Sequence, residues 1–493
     1  MSEDASTISV LFAAAEADPF AKVGGLGDVA GALPAALHNL SQQTGRPHLD
    51  VRVVLPFHPV IRNKGFTPEF LTEVLVSSVA GDQKAQIYTQ TINNVPVYLI
   101  DGEPVQKNSP VYSSNNAVDG EKYVFFCQAA LQMLLKLNWI PNVINANDWH
   151  TAPMIYALSL LKKGSASHPL RNVRSVFTIH NLPFMGAGAE KWMDYYLLPP
   201  AETQQIPRWG LHHPLPLGIL TADKIVTVSP TYAQEIMTPA FGCGLEKFLQ
   251  SRQQDVSGIL NGLDEQLWNP QTDTHLAQPF SAATLPARQK NKIELLKEFN
   301  LDPNPRRPLL ILISRMDQQK GVDLAVKAAR LIADEDWQMI LLGTGDPTLE
   351  DACRQLERKY PDRVRAAIRF DASLSRRMYA GGDMLLMPSR YEPCGLAQMI
   401  SMRYGCVPVA RATGGLKDSI HQTDTMQHGT GFLFKPATET ALARALRKAL
   451  QIYQNPQHWQ QIQLNGMAVN FSWATPALEY ANLYQQLLKE RNE

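Results

Sequence analysis

Short apolar runs alternate with longer amphipathic stretches along most of this chain. Ile8–Ala15, Val51–Leu55, Val95–Ile100, Val143–Ala146, Val173–Ile179 and Lys224–Val228 are strand-like, and the stretches between them follow a helical period. Strands that alternate with helices assemble into a parallel sheet wrapped by those helices. A second series repeats the pattern: Leu309–Ser314, Met339–Gly343, Val364–Phe370, Met384–Met387, Val407–Val409 and Phe432–Phe434. The pattern predicts an α/β protein with two Rossmann-like halves.

Between the two series, Asn261-Gly262-Leu263-Asp264 opens a polar stretch that reaches about Pro308 and holds one helical segment. Asn269-Pro270, Pro279 and Leu301-Asp302-Pro303-Asn304-Pro305 punctuate it. A hinge is expected near Gly262. Residues 1–262 then form an N-terminal domain and residues 263–472 a C-terminal one. The last stretch, 473–493, spaces Leu478, Tyr480, Leu483, Leu487 and Leu488 as one helical face, which needs a surface to cover, expected on the first domain. A length of 493 residues suits two large domains.

Composition narrows the classes of function. Hydrophobic residues make up 45% and charged residues 19%, and no apolar run approaches the roughly 20 residues of a membrane helix, so a soluble protein is expected. Lys plus Arg equals Asp plus Glu at 46 each, which leaves no broad basic field for nucleic acid or an anionic membrane. Any anionic ligand must be held locally. Met1-Ser2-Glu3-Asp4 is acidic where a secretory signal would be basic, pointing to a cytoplasmic location. Cys127, Cys243, Cys353, Cys394 and Cys406 are scattered and form no C-x-x-C pair, so they read as reduced thiols rather than a disulfide framework or zinc site.

The candidate chemistry sits in loops at strand ends. After the first strand, Lys22-Val23-Gly24-Gly25-Leu26-Gly27-Asp28 precedes a helical pattern from about Val29. Such a loop either brings backbone amides and a lysine to an anion at a helix N-terminus or makes an ordinary tight turn. It is neither a P-loop nor a dinucleotide fingerprint. In the second half Arg315 ends a strand, and Lys320 follows in a polar loop before a helix near Asp323. Two cations there can stabilise a leaving diphosphate where no metal motif exists, or they are solvated surface charges.

The densest segment is Pro388-Ser389-Arg390-Tyr391-Glu392-Pro393-Cys394-Gly395-Leu396, a strand end leading into a helical pattern from Leu396 to Tyr404. Glu392 can accept hydrogen bonds from sugar hydroxyls and favour positive charge on a reacting sugar carbon, or it complements a helix dipole. Thr413-Gly414-Gly415-Leu416 is a further Gly-rich turn suited to presenting amides to a phosphate. Leu342-Gly343-Thr344-Gly345-Asp346-Pro347 has a similar outline and can equally be a plain turn.

Lys22 to Val29 reads Lys-x-Gly-Gly-Leu-x-Asp-Val and resembles the signature of bacterial glycogen synthases and plant starch synthases. The likeness continues through Asn147-Asp148-Trp149-His150, Thr178-Ile179-His180-Asn181, Val228-Ser229-Pro230-Thr231-Tyr232, Ile259-Leu260-Asn261-Gly262-Leu263-Asp264 and Ser314-Arg315-Met316-Asp317-Gln318-Gln319-Lys320-Gly321. Glu392-Pro393-Cys394-Gly395 belongs to the same series. The stretch from Gly186 to about Leu217 offers no anchor.

The resemblance implies a GT-B fold, two Rossmann-like domains facing each other across a deep cleft. It implies transfer of glucose from ADP-glucose to the non-reducing end of an α-1,4-glucan with retention, releasing ADP and needing no cofactor or metal. The implied catalytic residues are Glu392, Arg315, Lys320 and His180, the last touching the donor glucose. The nucleotide sugar would be bordered by Lys22, Gly24, Gly25, Asn261, Phe370, Cys394, Gly395, Leu396, Thr413, Gly414 and Gly415. Asp28, Tyr112, Asp148 and His150 would stand on the acceptor side.

Several of these residues keep two readings. Phe370 closes a predicted strand and either stacks on the base or packs in the core. His150 is either a site residue or a satisfied structural histidine. Cys394 is a small buried thiol rather than a nucleophile, since no base accompanies it. With only one carboxylate placed, double displacement lacks its pair, which favours front-face substitution assisted by the departing phosphate.

The rivals are the same fold using UDP-glucose or another acceptor, and a non-catalytic glucan-binding protein. The joint presence of Lys22, Arg315, Lys320 and Glu392 argues against the second. A phosphorylase would need a pyridoxal lysine site that is not evident, and a dehydrogenase would leave the second half unexplained.

Overall fold

A computed structural model describes residues 7–107, 110–164, 166–423 and 428–490; the acidic Met1–Asp4 start lies outside them. The chain divides into two compact units. One runs up to Gly262 and resumes at Trp473, and the other is Leu263–Ser472.

The first unit is built on a nine-stranded sheet. Its strands are β1 (Ile8–Ala13), β2 (Leu49–Pro56), β3 (Glu69–Val76), β4 (Gln83–Ile92), β5 (Val95–Asp101), β6 (Val143–Asn147), β7 (Arg174–Ile179), β8 (Lys224–Thr227) and β9 (Val256–Gly258). They lie in the order β3-β4-β5-β2-β1-β6-β7-β8-β9. From β5 to β9 every pairing is parallel, with β1 central between β2 and β6. Nearly every residue of β1 and β6 is buried, which is why both read as unbroken apolar runs.

The antiparallel hairpin β3–β4 has no counterpart among the predicted strands. One face of each strand is open to solvent, so charged and polar residues interrupt the apolar run that marks a strand buried on both faces. β9 is only three residues long and too short to register as a period.

The second unit carries a six-stranded, all-parallel sheet. Its strands are β10 (Leu309–Ile313), β11 (Gln338–Gly343), β12 (Val364–Ile368), β13 (Met384–Met387), β14 (Val407–Arg411) and β15 (Phe432–Phe434). The order is β12-β11-β10-β13-β14-β15, so the sheet grows outward in both directions from β10 and β13. At that reversal the loops after β10 and β13 diverge, leaving a crevice at the strands' carboxyl ends. Leu310, Leu312, Met339, Leu341, Trp337, Leu442 and Leu446 form part of its core.

The terminal helix Ala474–Lys489 belongs to the first unit, packed on the helix Gly25–Ser41. Its Tyr480, Tyr484 and Leu487 are buried, and Tyr484 donates to Asn145 Oδ1 of β6 at 3.0 Å. Gly262 is where the chain leaves this unit, and a side chain there would press into Trp473, where the chain returns. Among the described residues no helix is long and apolar enough to cross a membrane.

Candidate active site at the carboxyl ends of the strands

In the first unit, the segment after β1 turns through the Gly-rich loop into the helix Gly25–Ser41, which starts four residues earlier than its apolar period suggests. The buried Glu16 organises this turn. Its carboxylate accepts hydrogen bonds from the amides of Val23 and Gly24, the latter at 3.1 Å. Burial raises the Glu16 pKa although these bonds oppose the shift. Two amides of the loop are therefore directed at an internal carboxylate. Lys22 forms an ion pair with Asp28 at 2.5 Å, so the lysine and acid that the resemblance assigned to opposite substrates stand together. Gly25 has nothing within 4 Å of where a side chain would begin, so its glycine leaves open room at the helix start.

Tyr112 joins the same edge by hydrogen-bonding Glu16 and lying 4.9 Å, centre to centre, from the His150 ring. Its segment is held by the helix Asn116–Lys136. Lys122 Nζ donates to Val111 O at 2.8 Å, the Tyr123 hydroxyl donates to the same carbonyl at 2.5 Å, and Asp119 accepts from the Ser113 amide at 2.8 Å. Each of these bonds ends within one residue of Tyr112. His150 is enclosed by Tyr112, Tyr123 and Trp149, and burial holds its pKa well below the usual histidine value.

Asp148 and His180 end β6 and β7, which are hydrogen-bonded neighbours. Asp148 adopts a left-handed backbone, φ 58°, and accepts from the His180 amide at 2.7 Å and the Asn181 amide at 3.3 Å. Burial raises its carboxyl pKa to about 7 against those two donors. Burial also lowers His180 to about 3, leaving a neutral ring at physiological pH. Asn147 Nδ2 donates to Ala13 O at 2.9 Å, which turns Asn147 Oδ1 toward His180 Nε2, also at 2.9 Å. Nε2 must then carry the proton, and Nδ1 is the acceptor. Asn261, following β9, is buried with its Oδ1 unpartnered among the described residues, apart from these contacts.

In the second unit, Lys320 and Glu392 meet from the loops after β10 and β13. Lys320 Nζ lies 2.7 Å from both carboxylate oxygens of Glu392, and Ser389 Oγ donates to Oε2 at 2.9 Å. Glu392 is 5% exposed, so this bidentate pair is sheltered on the carboxylate side. Asp317 ties the loop together: it accepts the Lys320 amide at 3.0 Å and pairs with Arg315 at 3.3 Å. The Arg315 side chain is largely exposed and also donates to Gln319 Oε1 at 3.5 Å. The two cations share a loop and have separate partners. Gly321, φ 66°, lets the chain pass against the Pro388 carbonyl before the helix Val322–Leu331.

The Thr413-Gly414-Gly415 turn is packed under the Glu392 loop. Gly414 has φ 44°, and a side chain there would collide with the Glu392 carbonyl. Gly415 gives its amide to the carbonyls of Glu392 and Pro393, each at 3.1 Å. That amide is thus turned inward rather than toward a phosphate, and the glycines permit close backbone packing. Cys394 is buried beside Gly415, Gly395 takes φ 72°, and Leu396 is half-buried at the start of the helix Ala397–Arg403.

Phe370 corrects its predicted setting. β12 ends at Ile368, the next helix begins at Ala372, and Phe370 stands between them 87% exposed. A core role is excluded, leaving an aromatic face open to a ligand.

The motifs of the sequence contain Asn147, Asp317 and Ser389 without giving them a role, and they leave out Glu16. The signal for Glu16 is an acid closing the apolar run Val10–Ala15, because a carboxylate at a buried strand end needs donors nearby. Among the described residues no cluster of three or more His, Cys, Asp or Glu could hold a metal ion.

Two α/β units, each with polar loops at the carboxyl ends of parallel strands, have the architecture of the GT-B fold, and the family matches make the chain a glycosyltransferase. The starch synthase catalytic domain family matches residues 9–251, and the glycosyl transferases group 1 family matches residues 295–463. The glycogen synthase of Thermotoga maritima is 38% identical over 98% of this chain and 99% of its own length. That of Streptococcus uberis is 37% identical over 97% and 99%. The catalytic domain of starch synthase IV from Arabidopsis thaliana, solved bound to ADP and acarbose, superimposes with a TM-score of 0.86 at 32% identity, covering 98% of this chain and 99% of that one. Sucrose-phosphate synthase from Thermosynechococcus elongatus shares the fold at 19% identity and a TM-score of 0.61. The chain belongs to the glycogen and starch synthase family of glycosyltransferases.

Proposed function

We propose that this enzyme transfers glucose from ADP-glucose to the non-reducing end of an α-1,4-glucan with retention at the anomeric carbon. The observation that carries the reading is the bidentate Lys320–Glu392 pair at the carboxyl edge of β10 and β13. A lysine held on a sheltered carboxylate is positioned to share its charge with an arriving diphosphate, and the carboxylate it partly releases can favour positive charge on the sugar carbon. Family membership and the ADP in the starch synthase IV complex support this choice of donor.

In the transfer, the bond from the anomeric carbon to the phosphate oxygen breaks. A bond to the acceptor's 4-hydroxyl oxygen forms on the same face, and the hydroxyl proton passes to the departing phosphate. Lys320 and Arg315 stabilise the phosphate charge. His180, neutral and with Nδ1 as acceptor, receives a hydrogen bond from a sugar hydroxyl. Exposed Phe370 stacks on the base, and the open space at Gly25 admits the donor. Asp28, Tyr112, Asp148 and His150 serve the acceptor side.

No cofactor takes part in this scheme. Cytoplasmic location forms part of the reading, where the five free cysteines would stay reduced.

Incorporation of labelled glucose into glycogen, with ADP-glucose and UDP-glucose in parallel, tests the proposal. ADP-glucose should be the preferred donor, and Glu392→Gln should lose most incorporation. Equal use of both donors, or full activity in the variant, would refute the corresponding part.

A further inference from the structure

Arg390 follows β13 and stands two residues before Glu392, and the reaction described above makes no use of it. Its guanidinium reaches across to the loop after β10, the loop that carries Lys320. Nη1 and Nη2 each donate to one carboxylate oxygen of Asp323 at 2.9 Å, in the first turn of the helix Val322–Leu331. Nη1 also donates to the Gln318 carbonyl at 2.7 Å. The Arg390 amide donates to the Gln319 carbonyl, again at 2.7 Å. On its other side the Arg390 carbonyl accepts from the Arg411 guanidinium at the end of β14. One residue therefore fastens both backbone positions that precede Lys320, and it is itself pinned to a neighbouring strand.

These bonds fall where the Lys320–Glu392 pair needs them. Lysine carries its charge on a flexible stem, so the place of its ammonium depends on how firmly its backbone is held. Within its own loop, the Lys320 amide is held by Asp317 at 3.0 Å. Between the loops, Gln319 Nε2 adds a longer bond to the Tyr391 carbonyl at 3.3 Å. The planar guanidinium fork fixes orientation as well as distance, which a point charge cannot do.

The Arg390 and Asp323 side chains are 35% and 20% exposed, and an ion pair open to water adds little to stability. Its charges nevertheless respond to the contact. Burial pushes the Asp323 carboxyl up, yet the Arg390 bonds lead the effects that hold it below the usual aspartate value, and the same carboxylate raises the Arg390 guanidinium. Such a clasp does little for the fold and much for the placement of one loop against the other.

We propose that Arg390, gripping Asp323 and the Gln318 carbonyl, is a positioning residue that sets Lys320 on Glu392 and acts on glucose transfer through Lys320. The inference rests on the role of Lys320 proposed above.

The test places Arg390→Gln in the full-length wild-type enzyme and in Lys320→Ala, and follows kcat, the glucan KM and the thermal midpoint. In the wild-type background kcat should fall about tenfold, with the glucan KM unchanged and the midpoint within about 3 °C. In the Lys320→Ala background the same change should alter kcat by less than about twofold, because the group it positions is gone. Arg390→Lys, which keeps the charge and loses the fork, should fall between wild type and Arg390→Gln. Lys327→Ala removes the other cation near Asp323, at 3.9 Å, and should leave kcat unchanged. Should Arg390→Gln fold poorly, Asp323→Asn carries the same comparison between backgrounds. A similar fall in both backgrounds, or a kcat within about twofold of wild type in Arg390→Gln, would overturn the positioning role and leave that of Lys320 intact. Full activity in Lys320→Ala would refute the role of Lys320 itself, and the proposal with it.

Discussion

At the scale of single residues, the site is a set of charges placed by burial. Glu392 is sheltered with Lys320 across both oxygens at 2.7 Å, so either partner alone would be left with an uncompensated charge. Glu392→Gln and Lys320→Ala should each lower kcat about 100-fold or more. Because they act as a unit, the double variant should be little worse than the poorer single one in steady-state kinetics. Asp148 makes a pH prediction. Its folded pKa of about 7 lies above the ordinary aspartate value of 3.8, so the folded state holds the proton more tightly. Stability contributed by this proton is present at low pH and is lost as pH rises through that interval. The thermal midpoint of wild type should therefore fall, relative to Asp148→Asn, between about pH 4 and pH 7. A difference that stays constant across the series would contradict the shift. The types of residue at these positions were legible in the chain. Their protonation was not, because it depends on how much protein surrounds each group.

At the scale of elements, the glycines in the two loops have different reasons to exist. Gly414 combines φ 44° with close approach to the Glu392 carbonyl, whereas Gly25 faces open space. Gly414→Ala should cost about 1–3 kcal/mol in urea unfolding and displace Glu392, lowering kcat. Gly25→Ala should change stability by no more than about 0.5 kcal/mol, while the KM for the nucleotide sugar rises because the methyl occupies its approach. Equal effects on stability would show that both glycines serve the backbone. In the sequence both are simply glycines between a strand and a helix. The difference lies in what packs over them, the backbone of Glu392 and Pro393 in one case and nothing within 4 Å in the other.

At the scale of the whole molecule, the first unit is completed by the last helix of the chain. Tyr484 reaches the buried Asn145 at 3.0 Å, and the helix lies on Gly25–Ser41, which begins in the Gly-rich loop. Tyr484→Ala should cost about 3–5 kcal/mol and lower the calorimetric transition of the first unit, leaving that of the second in place. A drop confined to the second unit would refute this packing. The alternation of strands and helices, the two series and the loops that carry Lys22, Lys320 and Glu392 were determined by the sequence alone. Those features repeat over a few residues, and hydrophobic period is a local signal. The β3–β4 hairpin and the partners of each site residue were decided only by tertiary structure. A half-exposed strand dilutes its apolar pattern, and Glu392 finds Lys320 across 72 positions of chain. Sequence spacing records which groups are present, and packing determines which of them meet.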